Sequence, residues 1–231
     1  TTSTVQLNNV QLRRNLGYEF LGNVIGNEPF HIWYMPYGAT TNQGGLHMTY
    51  KKNECVAAGT LITLADGSQV PVETLTGNER LLVWNLHTGR FDTAPILFID
   101  HDSAQVYKII NLYFSDGTRV KVISEHAFWD FDLNKYVFLR EDAAQYLGHW
   151  FNKQTTDAMG NMVWTRVQLT SVTITEEYTT AWSPVTYGHL CIYVNGMLSM
   201  PGATSGLINI FEVDGETMQI NQEQYLADIA T

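Results

Sequence analysis

Short runs rich in β-branched and aromatic residues recur along the chain, separated by turn signals. The runs lie at residues 60–64, 80–84, 106–114, 119–123, 135–139 and 163–175, and no proline interrupts them. Asp-Gly or Asn-Gly pairs at residues 66–67, 116–117, 195–196 and 214–215 favour the positive φ angles of tight hairpins. Because β-branched and aromatic residues are enriched in strands, the pattern predicts an all-β protein.

Helical signals are few and short. Residues 141–147 begin with carboxylates and end before Gly148, which is typical of one or two helical turns. Asn221 can cap a second short helix at residues 221–229. Neither segment is long enough to organise the fold, so we expect sheet packing to supply most of the core.

The net charge narrows the range of partners. Lys and Arg total 13 against 23 for Asp and Glu, which gives a formal charge of -10. This charge repels nucleic acid and anionic membrane surfaces. The apolar runs are far shorter than the roughly 20 residues of a membrane-spanning helix. We therefore expect no nucleic-acid partner and no membrane span.

The texture of the sequence divides the chain into three parts. Residues 1–54 open with Thr-Thr-Ser-Thr, show little alternation, and are predicted to be an N-terminal flanking segment of a longer precursor, whose compartment stays open. Residues 55–200 carry the strand pattern, and a weak echo between residues 73–96 and 144–167 is typical of a duplicated β subdomain. Residues 201–231 are predicted to form a hairpin and a short helix, as a C-terminal arm.

The chain has two cysteines, Cys55 and Cys191. Two are too few for a disulfide framework or for a Cys-rich zinc site, although one disulfide between them remains open. Cys191 lies in an apolar run and is interpreted as a small buried hydrophobe. Cys55 has a different context, because it opens a longer motif.

That motif combines Cys55, a Gly-Thr pair four residues later, a strand, an Asp-Gly turn and a second strand with proline. It resembles the first motif of Hint domains, the fold shared by inteins and hedgehog autoprocessing domains. Residues 96–100 and 122–126 resemble the hedgehog motifs that hold a catalytic Asp and a catalytic His. Asp100 lies 100 - 55 = 45 residues after the cysteine and His126 lies 126 - 55 = 71 after it, offsets that fit the hedgehog arrangement. Residues 183–188 and 192–199 resemble the closing strands of such a domain.

The resemblance implies a Hint fold, in which duplicated β subdomains related by a pseudo-twofold form a flat, horseshoe-like disc. It also implies roles for named residues. Cys55 attacks the carbonyl of Glu54 and moves the acyl group from nitrogen to sulfur, because a thiolate is a good nucleophile. His126 protonates the leaving amine or hydrogen-bonds the scissile amide. Asp100 then activates water, an alcohol or a thiol as the acyl acceptor, and Thr60 is a candidate helper.

The sequence also departs from the family. Ile123 stands where the family has a Thr that polarises the scissile amide, and Ser124 is expected to face the opposite side of a strand. Glu54 stands where hedgehog precursors have Gly. Met200 and Pro201 stand where inteins end in His-Asn, so full protein splicing is not expected. The tail beyond residue 199 does not resemble a sterol-recognition region, so cholesterol transfer is not expected.

The leading interpretation is a single-turnover, cysteine-dependent autoprotease that needs neither cofactor nor metal and whose substrate is its own N-terminal flank. A degenerate Hint domain retained as a structural or interaction module is the main alternative. A third interpretation is a cysteine peptidase that cleaves other proteins, which would place its cysteine at a helix N-terminus. Several residues have simpler interpretations: His149 and His189 are expected to be structural, and Trp129, Phe131 and Tyr136 are expected in the core. Residues 100–102 also have the composition of an ordinary polar turn, in which His101 and Asp102 compete with Asp100 as the functional group.

Overall fold

The computed structural model describes residues 55–85, 88–124, 126–186, 189 and 191–200, together with backbone stretches at 4–6, 18–25, 30–36 and 46–50. For residues 97, 98 and 100 the description is limited to the backbone. The described part is almost entirely antiparallel β-structure. The predicted arm at residues 201–231, with its 214–215 turn and 221–229 helix, and the predicted scissile residue Glu54 lie outside the described residues.

The flanking segment contains strands that the sequence pattern did not predict. They are β1 (Thr4–Gln6), β2 (Tyr18–Ile25), β3 (Phe30–Pro36) and β4 (Leu46–Tyr50). The four pair in this order, each antiparallel to the next. The weak alternation of residues 1–54 hid these strands, because pairing through backbone groups does not require a strict apolar and polar alternation.

The strands from Cys55 onwards form a second, larger sheet. Their bounds are β5 (Cys55–Ala57), β6 (Leu61–Thr63), β7 (Gln69–Pro71), β8 (Arg80–Asn85), β9 (Arg90–Phe114), β10 (Arg119–Ile123), β11 (His126–Asp130), β12 (Lys135–Leu139), β13 (Trp150–Thr156), β14 (Met162–Thr186), β15 (Cys191–Val194) and β16 (Met197–Met200). Strands β10 and β12 have the predicted bounds. The predicted helical segment at 141–147 is a single 3-10 turn, η2 (Ala143–Tyr146), and another, η1 (Val72–Thr74), follows β7.

Tight turns join several of these strands where the sequence predicts them. Gly67, Gly117 and Gly196 have φ angles of 87°, 89° and 79°. A residue with a Cβ is strained in this region of φ, which explains the glycine at each turn. Asn195, also at positive φ, ties two neighbouring segments together: its Oδ1 accepts from the Leu61 amide at 2.7 Å, and its Nδ2 donates to the Arg119 carbonyl at 2.6 Å.

The two longest strands of the large sheet are β9 and β14, with 25 residues each. They pair with each other from Leu169↔Phe114 to Thr186↔Ile96, with bulges on the way. The outer edge of β14 pairs with β5, which pairs with β10, which returns to β9. These four strands therefore close a ring, and the three-residue strand that begins with Cys55 is held on both edges.

Side chains leave this ring on two faces. The larger apolar core lies on one face and includes Val56, Ile62, Leu81, Leu112, Val122, Phe128, Phe151, Leu169 and Ile192. A smaller buried cluster lies on the other face and consists of Cys55, Ala57, Ile109, Ile123 and Ala181. Because successive side chains of a strand point to opposite faces, Val56 belongs to the core while its two neighbours belong to the small cluster.

The part of the chain that the structure describes holds no helix capable of spanning a lipid bilayer.

Candidate active site around Cys55

Cys55 is the first residue of β5, so the strand predicted at this cysteine is confirmed, in contrast to the helix N-terminus of the peptidase interpretation. Its backbone pairs with Ile123 of β10, and the next residue, Val56, pairs with Trp182 of β14. The thiol is buried in the small cluster, in which Ala57, Ile109, Ile123 and Ala181 surround it with apolar groups. Cys55 and Cys191 are both thiols and do not form the disulfide that the sequence left open.

Ile123 occupies the position directly across from Cys55. Its side chain is buried in the same cluster, so an aliphatic group stands where the resembled family has a hydroxyl. The expectation for Ser124 is wrong: β10 ends at Ile123, and Ser124 is an exposed residue with a φ of 66° rather than a strand residue. No hydroxyl of β10 is therefore presented to the cysteine.

His126 begins β11, three residues after the partner of Cys55. Its ring is buried, and its Nε2 lies 3.1 Å from the Ser199 hydroxyl. Its Nδ1 has no hydrogen-bond partner among the described residues. Burial lowers the pKa of His126 to about 4, because the charged imidazolium loses its hydration. The ring is therefore neutral near pH 7, with one nitrogen bonded and the other available.

Asp100 lies on β9 and its backbone pairs with Ser183 of β14. Since Trp182 pairs with Val56, the next residues along these two strands are Ser183 and Cys55. Asp100 is thus separated from Cys55 by one strand, a spacing of about 10 Å between backbones two strands apart. The hydroxyl of Ser183 is buried and has no hydrogen-bond partner among the described atoms.

The two neighbours of Asp100 have different surroundings. His101 stacks on Trp182, with ring centroids 5.0 Å apart and planes 14° apart. Trp182 packs against the main core, so this stack is on the face opposite to the small cluster. Asp102 pairs with Ala181, a member of the cluster that contains Cys55. Strand register therefore makes Asp102, beside Asp100, a second candidate for the catalytic carboxylate.

Thr60 is buried near the cysteine but its hydroxyl is committed to a turn. Its Oγ1 donates to the Ala57 carbonyl at 2.7 Å, and its amide also points to that carbonyl. Gly59, with a φ of 86°, makes the turn possible, and its amide donates to the Glu73 carboxylate at 2.8 Å. The Thr60 hydroxyl thus stabilises the turn that follows β5, and its role as a helper stays a prediction.

Two buried hydroxyls were not predicted from the sequence. Ser183 lies between the strands of Cys55 and Asp100, and Ser199 contacts His126. Both lie at the ends of segments that resemble the closing strands of a Hint domain, residues 183–188 and 192–199. The signal that could have found them is a serine inside an otherwise apolar strand, since burying a hydroxyl without a partner is costly.

Three side chains of types that can ligate a metal lie close together at the other end of β11. The ligand atoms of Asp130, Asp132 and His149 are all within 4.8 Å of one another. Each group already has a structural bond: Asp130 accepts from two amides of its turn and from His149 Nδ1 at 2.6 Å, and Asp132 accepts from the Trp150 amide. His149 therefore has the structural position that the sequence predicts.

The residues expected to be structural lie in the core or at its rim. Cys191 is buried as predicted, and it accepts a hydrogen bond from the Tyr136 hydroxyl at 3.2 Å. Burial raises the pKa of the Cys191 thiol to about 12. Trp129 is also buried, and His189 has a buried side chain. Phe131 is half-buried and lies under the Arg166 guanidinium, so it packs at the rim of the core rather than inside it.

Solved intein structures have the same fold as this chain. It is similar to the DnaX mini-intein from Spirulina platensis, with a TM-score of 0.52 and 15% identity over 64% of this chain and 99% of that one. It is also similar to the Ssp DnaB mini-intein variant M86 (TM-score 0.50, 17% identity, 65% and 96% covered) and to the PabCDC21-1 intein (TM-score 0.50, 12% identity, 64% and 99% covered). A scan against family models and a search of curated proteins give no match.

These findings define the class of protein: the chain has the all-β Hint fold. The prediction of an all-β Hint fold from the motif at Cys55 is thereby confirmed. At 12 to 17% identity this likeness concerns the fold and not the chemistry of the site.

Proposed function

We propose that this chain is a self-processing domain in which Cys55 converts the Glu54–Cys55 peptide bond into a thioester and releases the N-terminal flank. Release occurs by hydrolysis or by transfer to a small alcohol or thiol, without full protein splicing. One observation carries the proposal. The strand of Cys55 is held between β10, which leads directly to His126, and β14, which pairs with the strand of Asp100.

In the first step, the sulfur of Cys55 attacks the carbonyl carbon of Glu54. A carbon–sulfur bond forms, the carbon–nitrogen bond breaks, and the thiol proton ends on the amine nitrogen of Cys55. Among the described residues Nδ1 of His126 has no hydrogen-bond partner, which supports a role in this transfer, because a buried polar atom is costly unless another group engages it. With a pKa of about 4, the ring acts at neutral pH as an uncharged N–H donor.

In the second step, a carboxylate of β9 acts as general base towards the acceptor. The base takes the proton of water, alcohol or thiol, the new acyl bond forms, the carbon–sulfur bond breaks, and the Cys55 thiolate recovers a proton. We assign this role to Asp100. Asp102 is its matched control, since both carboxylates lie on β9 and differ by two residues. Asp100→Asn should accumulate a hydroxylamine-sensitive thioester, while Asp102→Asn should process normally.

Intact-mass spectrometry of the full chain tests the proposal. Incubation with dithiothreitol or hydroxylamine should release a fragment that ends at Glu54. Cys55→Ala should abolish release, whereas Cys191→Ala should keep it, because Cys191 lies in the core away from the small cluster. Release that persists in Cys55→Ala would reject the assignment of the nucleophile.

A second candidate function is a Hint domain that has lost its activity and serves as a structural or interaction module. The burial of the Cys55 thiol among apolar groups and the aliphatic Ile123 opposite to it favour this alternative. An intact chain after prolonged incubation with both nucleophiles, in a protein shown to be folded, would support it and overturn the self-processing proposal.

A further inference from the structure

Ser199 is the only described residue whose side chain is hydrogen-bonded to the His126 ring. Its Oγ lies 3.1 Å from Nε2, and both side chains are buried. The contact joins two neighbouring strands, β11 and β16, in which Phe128 and Ser199 are register partners. The two residues are 73 positions apart in the sequence, so the contact depends on the completed fold.

The Ser199 hydroxyl is the single side-chain hydroxyl of β16. Its neighbours Met197, Leu198 and Met200 are all buried and apolar. A serine at such a site costs free energy relative to an apolar residue of similar size unless its hydroxyl is bonded. The bond to His126 supplies that partner, so the two groups are best understood as a pair.

A neutral imidazole carries its single ring proton on one nitrogen, and the bond at the other nitrogen decides which one. A serine hydroxyl can either donate or accept. If Ser199 donates to Nε2, the proton of His126 must reside on Nδ1, the nitrogen that has no partner among the described residues. If Ser199 accepts instead, Nδ1 carries a lone pair and has no N–H to donate to the scissile amide before the thiol proton moves.

We propose that Ser199 is a positioning residue that donates its hydroxyl proton to His126 Nε2 and so holds the ring as the Nδ1–H tautomer, with that N–H available to the scissile amide nitrogen. This inference rests on the proposed function, because the Nδ1 proton matters only if His126 donates a hydrogen bond to the nitrogen of the scissile amide while the thiol proton of Cys55 moves to that nitrogen. Ser199 itself does not touch the reacting atoms. Burial lowers the pKa of His126, so the ring that Ser199 contacts is neutral at pH 7 and has a single proton to place.

The direct test is a nitrogen-15 NMR measurement of the histidine ring nitrogens. It is made in the full Cys55→Ala chain, in which the Glu54 peptide bond stays intact. We expect His126 with its proton on Nδ1. In the same background, Ser199→Val should lose this preference, and Ser199→Thr, which has nearly the same shape and keeps the hydroxyl, should retain it. Two results overturn the inference: a proton on Nε2 of His126 in the Cys55→Ala chain that keeps Ser199, or the same tautomer in that chain and in its Ser199→Val variant.

The kinetic test uses the chain with Cys55 in place and measures release by dithiothreitol. Ser199→Val should slow release by about tenfold or more, because a positioned hydrogen-bond donor at the reacting atoms is worth about 100-fold or more in rate. Ser199→Thr should recover most of the loss. Equal rates in the Val and Thr variants overturn the inference.

The two tests separate this inference from the proposed function. If the unmodified chain releases no fragment, the self-processing proposal fails, while the tautomer is still measured in the Cys55→Ala chain. If release occurs but the tautomer is independent of Ser199, the inference alone fails. Circular dichroism of each variant establishes that the compared chains are folded, and Ser199→Ala replaces Ser199→Val if the larger side chain is not accommodated.

Discussion

Cys55 and Ile123 are antiparallel register partners, and their side chains share one buried apolar cluster. Residues paired in this way have backbones about 4.5 to 5.5 Å apart, close enough for their side chains to be in contact. The residue opposite the proposed nucleophile therefore offers no hydrogen-bond donor or acceptor. This one substitution in the family pattern sets the first prediction.

Ile123→Thr should accelerate release of the N-terminal flank by dithiothreitol. The new hydroxyl can hydrogen-bond a peptide group next to Cys55, and a single positioned donor of this kind is worth about 10- to 1000-fold in rate. The measurement is the initial rate of fragment formation by intact-mass spectrometry.

Ile123→Val is the matched control, since Val and Thr have nearly the same shape and differ by the hydroxyl. It should leave the rate close to that of the parent chain. Equal rates for the Thr and Val variants would show that this position does not limit the reaction. Ile123→Val removes one buried methylene, which costs about 1 kcal/mol of stability, and Ile123→Thr costs more because it also buries a hydroxyl.

The stability of the domain should fall as the pH drops below about 6.5, in part because of His126. Its pKa is about 4 in the folded chain and about 6.5 when unfolded, so between these values the unfolded state binds more protons. The contribution is complete above pH 6.5 and is lost as the pH falls towards 4. At pH 4.5 the loss amounts to about 2 to 3 kcal/mol.

Urea unfolding at pH 7 and pH 4.5 measures this effect. His126→Gln, which cannot titrate, should show a smaller difference in the free energy of unfolding between the two pH values. A pH dependence identical to that of the parent chain would exclude His126 as its source.

Cys191 should resist alkylation in the folded chain. Its thiol is buried and its pKa is raised to about 12, so the reactive thiolate is scarce at pH 8. Iodoacetamide should label Cys191 in the Cys55→Ala chain only after unfolding, as followed by mass spectrometry. Rapid labelling of the native chain would contradict the burial of this thiol.

Asp130→Ala should destabilise the domain by about 3 kcal/mol in urea unfolding. Asp130 is fully buried, and its Oδ1 accepts from the amides of Asp132 and Leu133 while its Oδ2 binds His149. Hydrogen bonds to a charged group contribute about 1.5 to 3 kcal/mol each where their loss leaves partners unsatisfied. The exposed Asp132 is the control: Asp132→Ala removes one bond to the Trp150 amide and should cost much less.

Local sequence signals predicted a large part of the fold. Strands β10 and β12 have the bounds that their β-branched and aromatic residues indicate, and the glycines of the 66–67, 116–117 and 195–196 turns have positive φ. The same signals failed where pairing overrides them. The polar stretch 100–102, which has the composition of a turn, continues β9 because β14 pairs with it throughout.

The residues of the candidate site also fall into two groups, those that the sequence indicates and those that only the folded structure reveals. The motif at Cys55 and the spacings to Asp100 and His126 are sufficient to indicate the residue types and the Hint fold. Ser199 and Ser183 could not be found by spacing, since their importance comes from burial and from strands that meet only after folding.

The sequence by itself determined the alternation of strands and turns and the all-β class, because these depend on side-chain periodicity and on local backbone preferences. Only the tertiary structure decided that Ile123 faces Cys55 and that His126 is a buried, neutral ring whose Nε2 contacts Ser199 and whose Nδ1 has no partner within the described part of the chain. Register between distant strands and the desolvation of a buried group are properties of the packed whole, and neither is encoded in any short stretch of the chain.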